Sequence, residues 1–308
     1  MPRTSHPPPR CARPGRHGVP SLPRCAFVVD RALHIDLDGA WPREAVAGAY
    51  FDAREWGPRL RYSARPREVE AFAAEVRGRG KAFTLFGSGD FHHLTALWLR
   101  RVTEPVTVIS FDNHPDWDLR PPRWGCGTWI NRALALPHVE SVAIWGCGNF
   151  ELDWPGHLFV NRRALATARL RVWPWTERLA PSGRRRFPGI TAGDWRAQFQ
   201  AFASQLAGRR LYVTVDLDCL TAAESATNWE HGLFTAADVA WALGELRGRC
   251  EIVGGDLCGA HSPAQYARWR QRLLARWDHP RIEAPLPEEA TARNARALAT
   301  IWPVLAAE

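Results

Sequence analysis

Lysine is nearly missing from this sequence. Lys81 is its single example, so the 40 basic residues that stand against 32 acids, a formal net charge of +8, are almost all arginine. Five of those arginines fall in residues 1–24, which hold no acid, and the rest of the chain is left at only +3. Arginine spread in this way reads as coding bias. A nucleic-acid surface needs its basic residues gathered on one face, and only 184-RRR-186 and the N-terminal segment gather any. No CxxC pair occurs, and the seven cysteines are an odd number at irregular spacing. That excludes a disulfide framework and points to a reduced, intracellular chain. No apolar run approaches the roughly 18 residues of a membrane span, and no signal-peptide core is visible. A soluble, cytoplasmic protein is expected, with neither a membrane nor a nucleic acid as partner.

Residues 1–25 are rich in proline and arginine and poor in apolar periodicity, which predicts a disordered tail. Residues 26–308 predict a single domain in which short β-rich runs alternate with helical patterns. Strands are expected at 82-AFTLFGSG, 106-VTVISFD, 141-SVAIWGCG, 157-HLFVN, 210-RLYVTVD and 250-CEIVGGDL. Helices are expected at 67-REVEAFAAEVRG, 92-HHLTALWLRRV, 128-TWINRALAL, 194-DWRAQFQAFASQLAG, 236-AADVAWALGELRG and 264-AQYARWRQRLLARW. Several strands are apolar on both faces, as buried parallel strands must be. The fold class predicted is α/β, three layers around a mostly parallel central sheet. The stretch 173–193 breaks the alternation and reads as a long loop, of the kind that often carries function.

In such sheets the active site gathers at the C-terminal ends of the strands. There the sequence places GSGDFHH after one strand, DNHPDWD after the next, DLDCL after a third and GDLCG after a fourth. Asp112, His114 and Asp116 alternate, which puts all three on one side of an extended chain; Asp216 and Asp218 do the same. Carboxylates crowded at the edge of an apolar sheet repel one another and resist ionisation. Divalent cations remove the conflict. Carboxylate and imidazole donors suit Mn²⁺ or a related ion, and two such ions yield hydroxide at neutral pH.

The order GSGDFHH, DNHPD, DLD, each after a buried strand, resembles the ureohydrolases: arginase, agmatinase, formiminoglutamase and their relatives, whose motifs read GGDHS, DAHxD and DxDxxDP. The resemblance covers roughly residues 80–265 and rests on these short blocks. It implies an arginase/deacetylase-like fold and two Mn²⁺ ions. One ion would be held by His92, Asp112, Asp116 and Asp216, the other by His114, Asp112, Asp216 and Asp218. HHLT compares best with the family's HS(I/L)T, which favours His92 over His93. Asp116 would also carry a proton from the attacking water to the leaving amine. The implied reaction cleaves a C–N bond of a guanidine or amidine, typically arginine to ornithine and urea. Members of the family often assemble as trimers or hexamers, so a homo-oligomer is implied as well.

The chain departs from the family pattern around the substrate. Asp218 is followed by Cys-Leu-Thr rather than by the family's trailing residues. Cys126 stands where the proton-shuttle histidine would be, which leaves the shuttle absent or supplied by His231 or His261. Gly259 stands at the guanidinium-reading glutamate, and Glu230 is the candidate to replace it. Asn149 stands near the aspartate that helps bind the amino-acid head group. The candidate catalytic residues are therefore Asp116, His114, Glu230 and His231, and those facing substrate are Asn149, Cys126 and Glu230. Because the changes spare the metal positions and fall on head-group recognition, the chain resembles the divergent arginase-like enzymes that act on arginine within peptides. Three other readings stay open: a formimino or other amidine hydrolase, a single-zinc deacetylase on the same fold, and a metal-binding interaction protein without catalysis.

Overall fold

The run 106-VTVISF-111 buries all six of its side chains, polar ones included, as it forms strand β4 (Val106–Phe111). A strand covered on both faces belongs in a parallel sheet with a layer above and a layer below. The computed structural model describes residues 31–122, 124–187, 189–281 and 285–307, and it contains that sheet. The other strands are β1 (Ala32–Asp36), β2 (Ala49–Asp52), β3 (Phe83–Phe86), β5 (Val139–Trp145), β6 (Leu170–Trp173), β7 (Arg210–Asp216) and β8 (Glu251–Cys258). They lie in the order β2-β1-β3-β8-β7-β4-β5-β6, and every neighbouring pair is parallel. The expected tail, residues 1–25, lies outside the described residues.

Two apolar cores flank the sheet. One face packs Phe72, Trp98, Trp129 and Ile130 from helices Pro66–Glu75, Thr95–Leu99 and Trp129–Leu134. The other packs Phe199, Val239, Leu243 and Ile301 from helices Trp195–Gln205, Ala236–Arg247 and Pro287–Leu305. Local chemistry starts these helices where tertiary packing needs them. At Ala236–Arg247, Thr235 accepts the Asp238 N–H at 3.0 Å and Asp238 accepts the Thr235 N–H at 3.0 Å, a reciprocal cap.

The chain passes from β3 to β4 across two sheet positions that β8 and β7 fill later. Where strand order reverses, the loops at the C-terminal ends part and leave a crevice. All the acidic motifs sit at the ends of these four central strands.

Some expectations need correction. The segment 157-HLFVN is no strand: Gly156–Phe159 forms a 3-10 turn. The stretch 173–193 is no plain loop, since it holds the end of β6, a 3-10 turn Thr176–Arg178 and a helix Pro181–Arg186. Its tryptophans serve packing: Trp173 stacks on Trp145 with ring centroids 4.4 Å apart, and Trp175 is buried. The helix expected from residue 264 begins at Trp269. No helix among the described residues is long and apolar enough to cross a membrane.

Candidate metal centre

Four chain segments converge in the crevice. The 3-10 turn Gly89–Leu94 after β3 brings His92. The loop after β4 brings Asp112, His114 and Asp116, and the end of β7 with the turn Leu217–Cys219 brings Asp216 and Asp218. The end of β8 brings Cys258. Gly89 has to be small, because a Cβ there would lie 2.8 Å from Asp216 Oδ2 and 3.1 Å from the Trp229 ring. Asp116 holds φ at +44°, a left-handed conformation that aspartate adopts more readily than most residues.

Two donor groups share Asp112. His92, Asp112 and Asp116 form one, and Asp112, His114 and Asp218 form the other, each with its ligand atoms within 4.8 Å of one another. His92 Nδ1 lies 3.1 Å from Asp112 Oδ2, 3.3 Å from Asp116 Oδ2 and 3.5 Å from Asp216 Oδ2. His114 Nδ1 lies 2.8 Å from Asp218 Oδ2 and 3.7 Å from Asp112 Oδ1. Every one of these residues is buried.

The far side of each imidazole fixes which nitrogen faces inward. His114 Nε2 meets Glu230 Oε2 at 3.2 Å. His92 Nε2 meets Thr214 Oγ1 at 2.9 Å, and that hydroxyl donates its one hydrogen to Asp256 Oδ1 at 2.6 Å. The hydroxyl is left to accept, so Nε2 of His92 carries the proton and Nδ1 turns a lone pair toward three carboxylate oxygens. Lone pair and carboxylates repel unless positive charge lies between them, as a second proton on the ring or as a metal ion. A hydrogen-bonding partner behind a ligating histidine is the usual second support of a metal site, and here His114 has the Glu230 carboxylate and His92 the Thr214 hydroxyl, itself held by Asp256.

The charges tell the same story. Burial, followed by the charges of Asp216 and Asp112, pushes Asp218 well above the ordinary carboxylate range. Burial and Asp112 push Asp116 up to about 7, and burial also raises Asp216. Asp112 alone among the four goes down: burial opposes this, but the imidazoles of His114 and His92 beside it outweigh it. Asp112 Oδ2 is nonetheless buried without a hydrogen-bond partner. A hard divalent cation fits this donor set of carboxylates and imidazoles and would satisfy that oxygen.

The other candidates fall into two groups. Asn149 and Cys126 line the cavity beside the donors. The Asn149 Nδ2 has no partner. Burial, with Asp90 and Asp116 adding to it, raises the Cys126 thiol well above its ordinary value, so it is a neutral wall rather than a nucleophile. His231, His261 and Glu230 do not line the cavity. His231 Nε2 donates to the Ser225 carbonyl at 3.1 Å, and Glu230 sits behind His114. His93 is buried with both ring nitrogens unpartnered, and burial lowers its pKa to about 3. Asp118 binds Arg120 outside the centre.

Gly259 has φ at +102°, and a Cβ on it would run into the Asp216 side chain. No glutamate fits on that backbone. Gly259→Glu is therefore expected to destabilise the fold, by roughly 1–2 kcal/mol from the left-handed backbone alone, without creating a guanidinium reader. A denaturant melt of the variant checks this, and an unchanged midpoint would refute it.

Sequence reasoning missed Thr214, Cys258 and Glu151. The pattern of strand β7 hid Thr214, which reads there as one more sheet residue. The thiol of Cys258 lies 3.4 Å from Asp216 Oδ2 and joins His92 and Asp216 in a third donor group; DLCG carried it in plain sight. Glu151 lines the cavity, and one of its carboxylate oxygens is buried without a partner. Arg61, almost fully buried, props the whole turn: its Nε donates to Asp90 Oδ2 at 2.6 Å and its Nη1 to Ser262 Oγ at 2.9 Å.

The chain matches no family model. A Thermotoga maritima protein described only as uncharacterized is 24% identical over 190 residues, which are 61% of this chain and 61% of that one. The match thus spans about three-fifths of the relative's length. Solved structures align much further. Proclavaminate amidino hydrolase from Streptomyces clavuligerus aligns over 90% of this chain and 92% of its own, at 15% identity and a TM-score of 0.53. The fold is that of the arginases. Arginase from Bacillus subtilis aligns over 90% of this chain and 98% of its own, at 13% identity and a TM-score of 0.51. Agmatine ureohydrolase of Thermoplasma volcanium aligns over 89% of each chain, at 13% identity and a TM-score of 0.51. The arginase-like fold is what these likenesses establish, and its eight parallel strands put the donor groups in the crevice at the strand ends.

Proposed function

We propose that the chain is a divalent-metal hydrolase that cleaves a C–N bond of a guanidine or amidine, with manganese as its ion and arginine, free or within a peptide, as the substrate it resembles most. The observation that carries this reading is the pair of buried donor groups meeting at Asp112. His92, Asp112, Asp116 and Asp216 would hold one ion, and His114, Asp112, Asp216 and Asp218 the other. Two such ions would supply a water nucleophile deprotonated at neutral pH and a site for developing negative charge.

The chain's own residues do the rest. The wall of Cys126, Gly127 and Asn149 leaves a cavity of about 20 Å³ beside the donors, room for a water-sized group. Only a small end of a substrate, not its body, would reach the centre. Asp116, whose Oδ2 accepts the Trp129 indole N–H at 2.6 Å, would take a proton from the attacking water and give it to the leaving nitrogen. Water adds to the amidine carbon, the C–N bond breaks, and the products are urea or its analogue and an amine. Glu230 and Thr214 keep the two imidazoles in register throughout.

Incubating the Mn²⁺-supplemented chain with arginine, agmatine, formiminoglutamate and arginine-containing peptides tests this. Urea or ammonia release from at least one is expected, and release from none would sink it. The Cys258 thiol favours one rival, a single zinc ion on His92, Asp216 and Cys258, because sulfur is a soft donor. Deacetylation of acetylated amines with zinc alone would establish that rival.

A further inference from the structure

The metal donors sit at the C-terminal ends of the strands, but a larger cavity, of about 350 Å³, opens at the opposite edge of the sheet. It lies near the N-terminal ends of β3, β7 and β8: Ala82 comes just before β3, Tyr212 belongs to β7, and Val253 and Gly254 belong to β8. The turn from helix Thr95–Leu99 to β4 adds Arg101, Val102 and Thr103 to its lining. The Tyr212 wall is held in place, because its hydroxyl donates to Asp256 Oδ2 at 2.7 Å. A cavity of this size falls within the range of small-molecule sites.

Arg101 brings to it a positive charge that the fold does not neutralise. Its Nη1 is buried without a hydrogen-bond partner, and packs so closely on Gly80 that a Cβ there would lie 2.7 Å away. Its Nη2 reaches the Val76 carbonyl only at 3.5 Å, and the guanidinium lies over the Trp98 ring at 4.8 Å. Burial pulls the Arg101 pKa down, and among the described residues only Tyr212 pulls it back. Trp98, 2% exposed, lines the same cavity, and its indole N–H is also buried without a partner. Folded proteins satisfy nearly all their buried donors, so two orphaned donors on one cavity point to an acceptor that binds there. Lys81 and Glu104 line the cavity as well. Glu104 is paired with Arg210, and it repels a second negative charge on any occupant.

We infer that this cavity binds a small organic monoanion, a carboxylate carried on an apolar body, with its oxygens on the Arg101 guanidinium and the Trp98 indole N–H. A guanidinium offers parallel N–H groups that match the two oxygens of a carboxylate. The apolar body lies against Ala82, Val102 and Val253. Because the cavity and the metal donors occupy opposite edges of the sheet, the occupant is a second ligand and not the substrate. Binding there needs no hydrolysis at the metal centre, so it stands or falls apart from the hydrolase reading.

Calorimetric titration of the full chain with benzoate, Mn²⁺ present, tests this, and benzamide serves as the uncharged match. Benzoate is expected to bind at least about tenfold more tightly than benzamide, the least that a hydrogen bond between ionised groups contributes. Arg101→Met keeps an apolar stem over Trp98 and is expected to remove that gap. Val253→Phe fills the cavity while leaving the guanidinium, and is expected to weaken both compounds. Equal binding of benzoate and benzamide overturns the inference. So does a preference for benzoate that survives Arg101→Met, which would place the anion elsewhere, at the metal centre for example. Should Arg101→Met fail to fold, Val253→Phe decides: benzoate binding unchanged in that variant overturns the site, and its loss supports it.

Discussion

Asp112→Ala is expected to remove metal binding and C–N hydrolysis together. Asp112 is the residue the two donor groups share, so this substitution takes an oxygen from each. The effect on stability separates this loss from simple damage. A ligand that binds only the native state adds about 4 kcal/mol at a thousandfold excess over its Kd. The parent protein should therefore melt higher as Mn²⁺ is added, and the variant should not respond. Without metal the variant should be less stable than the parent, because the fold holds Asp112 below the ordinary carboxylate range through the imidazoles beside it and Asp112 accepts the His114 backbone N–H at 2.7 Å; the missing response to Mn²⁺ is what marks the lost site. A variant that still gains stability from Mn²⁺, or still releases urea, would place the centre elsewhere.

Thr214→Val is expected to weaken metal binding by about 10- to 100-fold, the usual consequence of removing the partner behind a ligating histidine. Valine has nearly the shape of threonine, so the strand should survive. What disappears is the hydroxyl that accepts from His92 Nε2 and donates to Asp256. Asp256 keeps Tyr212 at 2.7 Å and Thr95 at 3.1 Å, while the His92 N–H is left buried and unpaired. That costs about 1–3 kcal/mol of stability and frees the ring to turn. Thr214→Ser, which restores the hydroxyl, should recover both the affinity and the stability. Calorimetric titration with Mn²⁺ reads the difference, and equal affinities for valine and serine would show that the hydroxyl does not position His92.

Much of the centre was legible because parallel strands convert sequence order into position. A strand buried on both faces is an apolar run, and the residues just past it must lie at the sheet's C-terminal edge. Asp112, His114, Asp116, Asp216 and Asp218 were found that way, and so was the three-layer architecture. Strands β1, β2 and β6 were not found: each has only four or five residues, and the burial of β2 and β6 is partial. The groups that support the ligands were also out of reach. Thr214 and Asp256 meet across neighbouring strands, and Glu230 reaches His114 from more than a hundred residues away. Such meetings depend on strand order, which no local pattern encodes. Gly259 is the opposite case: the sequence shows only that a glycine stands at the family's glutamate position, whereas the backbone packs so closely on Asp216 that a Cβ there would clash.

Anomalous diffraction from crystals grown with Mn²⁺ would reveal the proposed two-ion centre around Asp112. Two peaks are expected beside the Asp112 carboxylate, about 3.5–4 Å apart as in two-metal hydrolases, one near His92 and one near His114. A single peak beside Cys258, or none in the crevice, would contradict it.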